Sequence, residues 1–565
     1  MHDENLHSFT HHVTQWGYTS SLSYPDPFNA IELDVLITSP SKNVWKLPAF
    51  WRGGQRWEVR FIPEEEGLYT LETICSDTSN TSLHLLKHTL SVALQKETFT
   101  PLPKSLCISH TKRFLQDETG KAFFWLGDTW WMGLSKRLSY PKDFHQLTQD
   151  RKAKGFSVIQ LVIGLFPDMN DFDERSKNEG GMAWEANYSC INPSYFDAAD
   201  KRIAYLVQNN LIPCILGAWG YYFHTLGEEK MKKHWRYIIA RWGVYPVVWC
   251  IAGEGAMPHY LSNNGPKDKE KQIQGWSAIG EYIKSIDPFH RLLTIHPTEI
   301  GKEQVLNPSL LDINMLQAGH NGYESVSHAV RLVYNEKNKK PLMPLIMSEV
   351  NYEGIMHDTS AEVQRLTFWS AILSGATGFS YGANGIWQVN TKTTPFGASP
   401  HGGTWGNTPW DEACDYLGAK QLGLAKKLLE RFAWWLLEPH PEWLSPQQDL
   451  FDAKTPRIAG IPRQLRILYF YGPIQPWNKT KYKLENIEKD VVYEAFFWDP
   501  RTGKEYQVGS VVPNQHSQWQ IPILPTFEDW VLILKSTSPS LETKHPNSSK
   551  RRLSRLIQYV MSHRN

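Results

Sequence analysis

The sequence predicts a multidomain protein: a central (β/α)8 TIM barrel flanked by an N-terminal β-sandwich and a small C-terminal β-sandwich. Three observations predict it. Between about residues 104 and 438, eight short apolar runs alternate with segments of helical periodicity, the order that parallel βα units require. Before that stretch, apolar and polar residues alternate with period two, as half-buried strands do. After Glu438-Pro439 the helical pattern stops and strand patterns return. At 565 residues the chain is also too long for one ordinary core.

The N-terminal unit, 1–103, is read from Ile31-Glu32-Leu33-Asp34-Val35 and Trp57-Glu58-Val59-Arg60-Phe61, with a turn from Pro63 to Gly67 and a further strand from Leu68 to Thr73. Thr100-Pro101-Leu102-Pro103 reads as a linker. The barrel unit, 104–438, has strand candidates near 122–127, 156–163, 212–218, 247–253, 291–295, 312–316, 345–348 and 378–381. Ile273, Trp276, Ile279, Ile283 and Ile286 recur at helical spacing after the fourth run. After the seventh, Ser360 suits the N-cap of a helix carrying Val363, Leu366, Trp369 and Leu373. The fifth and sixth runs lie so close together that only a short helix fits between them. The C-terminal β unit, 439–536, is read from 466–471, 491–498 and 530–534, with a turn at Asp499-Pro500-Arg501-Thr502-Gly503. A basic tail, 537–565, carries Leu553, Leu556, Ile557 and Val560 at helical spacing, the pattern of a frayed or packed surface helix and also of an amphipathic end that touches a membrane or partner.

Composition narrows the function. The formal net charge is +1, which points to neither nucleic acid nor an anionic membrane as a partner. No apolar run reaches the roughly 18 residues of a membrane span. The start Met1-His2-Asp3-Glu4-Asn5-Leu6 lacks the basic and apolar regions of a signal peptide. The six cysteines are scattered, with no C-x-x-C pair, which suits a reducing compartment. The expectation is a cytoplasmic protein; homo-oligomerisation is left open. With 24 Trp, 24 Tyr and 24 Phe the chain is rich in aromatic faces, which suit the C–H faces of sugars and equally suit ordinary packing.

The chemistry gathers at strand ends, where a barrel builds its active site. Glu254 closes the run Val247–Gly253, and Glu349 closes Pro344–Ser348. A strand-end acid alone commonly forms a salt bridge or a cap. Two, on the fourth and seventh strands, are the pair a glycosidase needs: one acid to protonate the leaving oxygen, and one carboxylate to attack the anomeric carbon in a retaining enzyme. The other strand ends supply Asp128, Gln160, Trp219, His296, Gln317, His320, Tyr381 and Asn384, residue types that hydrogen-bond or stack on a sugar. Trp387 and Trp405, beyond the eighth run, are candidate subsite walls; packing of the loop onto the barrel would explain them too. There is no G-x-S-x-G elbow and no H-E-x-x-H, and no tight ligand spacing, so no metal and no cofactor are expected. A carbohydrate is the expected partner. The competing reading is a non-catalytic carbohydrate-binding protein on a degenerate barrel.

Particular stretches resemble a known family. Phe123-Phe124-Trp125-Leu126-Gly127-Asp128-Thr129-Trp130-Trp131, the segment from Asp150 to Gln160, and Asn192-Pro193-Ser194-Tyr195-Phe196-Asp197 resemble the apiosidase-like glycoside hydrolases. So do Val248–Glu254, Gln317-Ala318-Gly319-His320, Ser348–Ile355 and Tyr381–Gln388, in the same order along 104–438. The resemblance implies a retaining barrel glycosidase acting on a terminal sugar, apiose or another pentose or deoxysugar, with Glu254 as acid/base and Glu349 as nucleophile. The family pattern often has Asp where this chain has Glu254, one methylene longer.

Overall fold

The structure is a computed structural model describing residues 6–95, 102–357, 359–472 and 482–537. Its N-terminal part is two facing sheets. Five strands in the spatial order Leu6–Phe9, Lys87–Ala93, Gly67–Cys75, Leu33–Thr38, Val44–Pro48 lie against three, Thr14–Thr19, Arg56–Phe61 and Phe50–Gly53. Alternation puts Val35, Trp57, Tyr69 and Leu90 between them in one core.

The eight predicted barrel strands are all present: Trp125–Thr129, Val158–Val162, Ile212–Leu216, Val248–Cys250, Leu293–Thr294, Asn314–Gln317, Leu345–Glu349 and Gly378–Tyr381. They form one parallel sheet in which the first strand pairs with both the second and the eighth. Every residue of every one of these strands is buried, which is why they read as continuous apolar runs rather than alternating ones. The ladder breaks between the fifth and sixth strands, the unit too short for a full helix. Two 3-10 turns, Gly301–Gln304 and Pro308–Leu310, stand there instead. Asp312 N donates to Leu293 O at 2.8 Å and Thr294 Oγ1 to Ile313 O at 2.9 Å, so these bonds draw the barrel shut.

Helices cover the outside: Lys142–Ala153, Pro193–Gln208, Tyr222–Trp242, Gly265–Ile286, Tyr323–Glu336, Ala361–Ser374 and Leu417–Leu429. The fourth of these buries Trp276, Ile279 and Ile283, the stripe its periodicity predicts. Asn192 caps Pro193–Gln208 by accepting from Ser194 N. Ser360 takes the N-cap position of Ala361–Ser374, but its side chain makes no capping bond.

The C-terminal part has a six-stranded sheet in the order Glu438–Pro439, Arg457–Ile461, Leu465–Phe470, Trp530–Ser536, Tyr493–Trp498, Glu505–Val511, with a smaller three-stranded sheet beside it. Both flanking parts attach through barrel helices. Arg60 and Arg241 converge on Asp200, and Tyr237 donates to Trp51 O at 2.8 Å. On the other side Arg365 binds Asp529 at 2.7 and 2.9 Å, and Trp369 stacks on Tyr469. Of the basic tail, all but Thr537 lies outside the described residues. Among the described residues no helix is long and apolar enough to cross a membrane.

Candidate active site

The seventh strand runs to Glu349 itself, so the carboxylate leaves the sheet at its C-terminal edge. The fourth strand ends at Cys250, and the chain continues through Ile251-Ala252-Gly253 to Glu254. Gly253 forms a parallel bridge with Trp219, and a Cβ there would lie 2.3 Å from Trp219 Cε3. Only glycine lets the indole pack against this turn. Glu254 follows in the left-handed region at φ 44°, a conformation that a non-glycine residue holds only under constraint from its surroundings.

Glu254 and Glu349 line the same cavity, of about 180 Å3. Trp131, Trp219, Trp387 and Trp405 are among its walls, and Gln317, His320, Tyr352, Tyr260 and Asp168 bring polar atoms to it. Among the described residues, the buried indole N–H groups of Trp219, Trp387 and Trp405 and Oε1 of Gln317 have no protein partner. Aromatic walls with a few convergent polar groups are the composition of a small-molecule site.

The two acids have opposite environments. Burial, reinforced by the negative charge of Glu349, pushes Glu254 up to about 7, although Gln317 Nε2 donates to its Oε1 at 2.9 Å. Burial alone would push Glu349 up as well, but imidazoles outweigh it and hold it down at about 2. His320 Nε2 is hydrogen-bonded to Glu349 Oε1 at 3.0 Å, and His296 Nε2 lies 3.2 Å from Oε2. Tyr352 lines the cavity beside Glu349, and its hydroxyl accepts from Trp131 Nε1 at 3.0 Å. Its ring is seated over Gly382, where a Cβ would come within 2.0 Å of it. One carboxyl is thus kept protonated near neutrality and the other ionised.

Comparison with known proteins fits this geometry. Residues 109–436, more than half of the chain, match the family model described as Apiosidase-like, catalytic domain. The chain belongs to the apiosidase-like glycoside hydrolases. Residues 7–76 match a second model, described as a domain of unknown function (DUF5060). Among curated proteins none matches. Of similar solved structures, one named glycoside hydrolase is 21% identical, with a TM-score of 0.61, covering 77% of this chain and 98% of its own. A family 5 glycoside hydrolase from Bacteroides vulgatus ATCC 8482 is 20% identical, TM-score 0.61, covering 77% and 94%. Another structure from that organism, assigned to the glycoside hydrolases, is 14% identical with a TM-score of 0.66 and covers 94% and 100%. At these identities the likeness is one of fold.

Of the residues that the sequence of this apiosidase-like chain singles out, Glu254, Glu349, Trp219, Gln317, His320, Trp387 and Trp405 come together on the cavity. His296 stands behind Glu349, and Gln160 is buried with Nε2 donating to Ser348 O at 3.1 Å, bracing the seventh strand. Asp128 is corrected: it is fully buried and does not line the cavity. Its oxygens accept from Arg151 Nε at 2.6 Å, Trp130 Nε1 at 2.7 Å and Thr129 N at 2.9 Å, an internal ion pair that ties the first strand to the following helix. Tyr381 is corrected in the same way, since its hydroxyl donates to Glu353 Oε2 at 2.6 Å. Asn384 is fully buried beside Gly406 and is not part of the wall either. Asp168, Tyr260 and Tyr352 are cavity residues that the strand-end rule does not reach, because they lie in loops. Tyr352 carried the one usable signal, its place three residues after Glu349.

Proposed function

We propose that the chain is a retaining glycoside hydrolase removing a terminal sugar from plant or microbial glycans, with Glu254 as acid/base and Glu349 as nucleophile. The observation that carries the reading is the division of protonation within one cavity, Glu254 up to about 7 and Glu349 down to about 2. An oxygen of Glu349 attacks the anomeric carbon and forms a glycosyl ester. The electron pair of the breaking C–O bond goes to the leaving oxygen, which takes the proton from Glu254. Glu254, now a carboxylate, removes a proton from water as it attacks the same carbon, and both acids return to their starting forms. His320 aims Glu349, and Gln317 holds Glu254 in line. The modest cavity volume supports a single sugar ring at the cleavage end, and the family supports apiose or another pentose or deoxysugar.

The test is a panel of aryl glycosides of apiose, arabinofuranose, rhamnose, galactose and xylose, with product stereochemistry followed by NMR. The expected result is turnover with retention of at least one, abolished in Glu349→Gln while the sugar still binds. An inverted first product would refute retention, and turnover surviving Glu349→Gln would refute the nucleophile. Binding of sugars without turnover of any glycoside would favour the non-catalytic reading.

A further inference from the structure

Asp168 is a third acid in the cavity, and the two-carboxylate chemistry leaves it without a task. It sits in the loop after the second barrel strand, 6% exposed, with its backbone in the left-handed region at φ 56°. Two other loops converge on it. Ser399 Oγ, from beyond the eighth strand, donates to Oδ1 at 2.7 Å, and His401 Nε2 from the same loop lies 4.0 Å from that oxygen. Tyr260, from the loop after the fourth strand, lines the cavity with Asp168.

Among the described residues neither Lys nor Arg pairs with the Asp168 carboxylate. Arg175 reaches only its main-chain oxygen, at 3.5 Å, and is itself paired with Asp173. Among the described residues neither Lys nor Arg lines the cavity. A carboxylate offers about four acceptor sites, of which Ser399 occupies one. A buried carboxylate facing a cavity needs further donors, and the hydroxyls of a sugar are donors. A sugar bearing its own carboxylate would bring like charge against both Asp168 and Glu349.

We propose that Asp168 is the specificity-determining residue of this cavity, its carboxylate accepting hydrogen bonds from ring hydroxyls of a neutral sugar seated between Glu254 and Glu349. The proposal rests on the glycoside hydrolase reading above. Loss of a hydrogen bond to a charged group predicts that Asp168→Ala lowers kcat/KM by about 10- to 100-fold on the best neutral aryl glycoside. Against the aryl deoxyglycoside lacking the contacted hydroxyl, the variant and the parent enzyme should agree within about threefold. A purely structural loop staple would not produce this difference. Asp168→Asn keeps the shape and one acceptor, so it should fall between the two and retain thermal stability.

The same comparison is made by binding. Free monosaccharides and their deoxy analogues are titrated against the cavity tryptophan fluorescence of Glu349→Gln, with and without Asp168→Ala. Hydroxyl dependence that disappears with Asp168 supports the proposal. An equal loss on all deoxy analogues, or uronides processed or bound better than neutral sugars, overturns it. If no aryl glycoside is turned over, the hydrolase reading fails, and the binding titration still decides Asp168.

Discussion

Replacing Glu254 with Gln should stabilise the protein in alkaline buffer and leave its stability unchanged in acid, while removing proton donation. Folding raises the Glu254 carboxyl from 4.5 to about 7, through burial first and the charge of Glu349 second. Below pH 4.5 the group is neutral folded and unfolded, so it contributes no difference. Between 4.5 and 7 the unfolded chain ionises while the folded one stays protonated, so stability falls as pH rises. Above 7 the full burden is present, roughly 3 kcal/mol at 1.36 kcal/mol per pKa unit. The substituted amide would carry no charge and still accept from Gln317, so the burden vanishes in the variant. Differential scanning of both proteins from pH 4 to pH 9 should show no difference at the acid end, with the variant melting a few degrees higher above pH 7.5. In the same variant kcat/KM on poor leaving groups should drop by about 10² to 10⁴, and much less on activated aryl leaving groups. A melting difference independent of pH, or growing toward acid, would refute the raised carboxyl. Equal losses on good and poor leaving groups would refute its role as proton donor.

Other outcomes follow from the same geometry. Activity should run as a plateau through mildly acidic pH and fall as pH rises through about 7, where Glu254 loses its proton; Gln317→Ala, which removes a bond favouring the ionised form, should move that limb upward, as pH profiles of kcat/KM would show. Trp405→Ala should lower kcat/KM by about tenfold, an interaction of about 1.4 kcal/mol, with little change in melting; matched losses of activity and stability would make the indole a structural cover. Asp128→Ala should act on stability, by about 3–5 kcal/mol, because it leaves the fully buried Arg151 guanidinium without its main partner. Equilibrium denaturation would show it, and a variant of normal stability with impaired sugar binding would contradict the structural role.

The fold was legible because burial on both faces forces each barrel strand into an apolar run, and a run needs no tertiary information to be seen. Even the irregular unit between the fifth and sixth strands showed, since the chain between them is too short for a full helix. Glu254 and Glu349 were legible for the same reason, each being the polar residue that stops such a run. Beyond that, position at a strand end does not tell which way a side chain faces or what meets it. Asp128 and Tyr381 also stand at strand ends, yet Arg151, on the following helix, and Glu353, in a loop, take their polar atoms. Glu254 reaches the cavity only through a left-handed turn held by the Trp219–Gly253 packing. Asp168, Tyr260 and Ser399 meet from three loops whose sequences carry no periodic pattern. The sequence by itself determined the strands, their order and the two acids, because hydrophobic burial is written locally with a fixed period. Which carboxyl is protonated, and which side chains face the cavity, was decided only by the tertiary structure, because pKa and hydrogen bonding depend on neighbours that folding brings within a few ångströms.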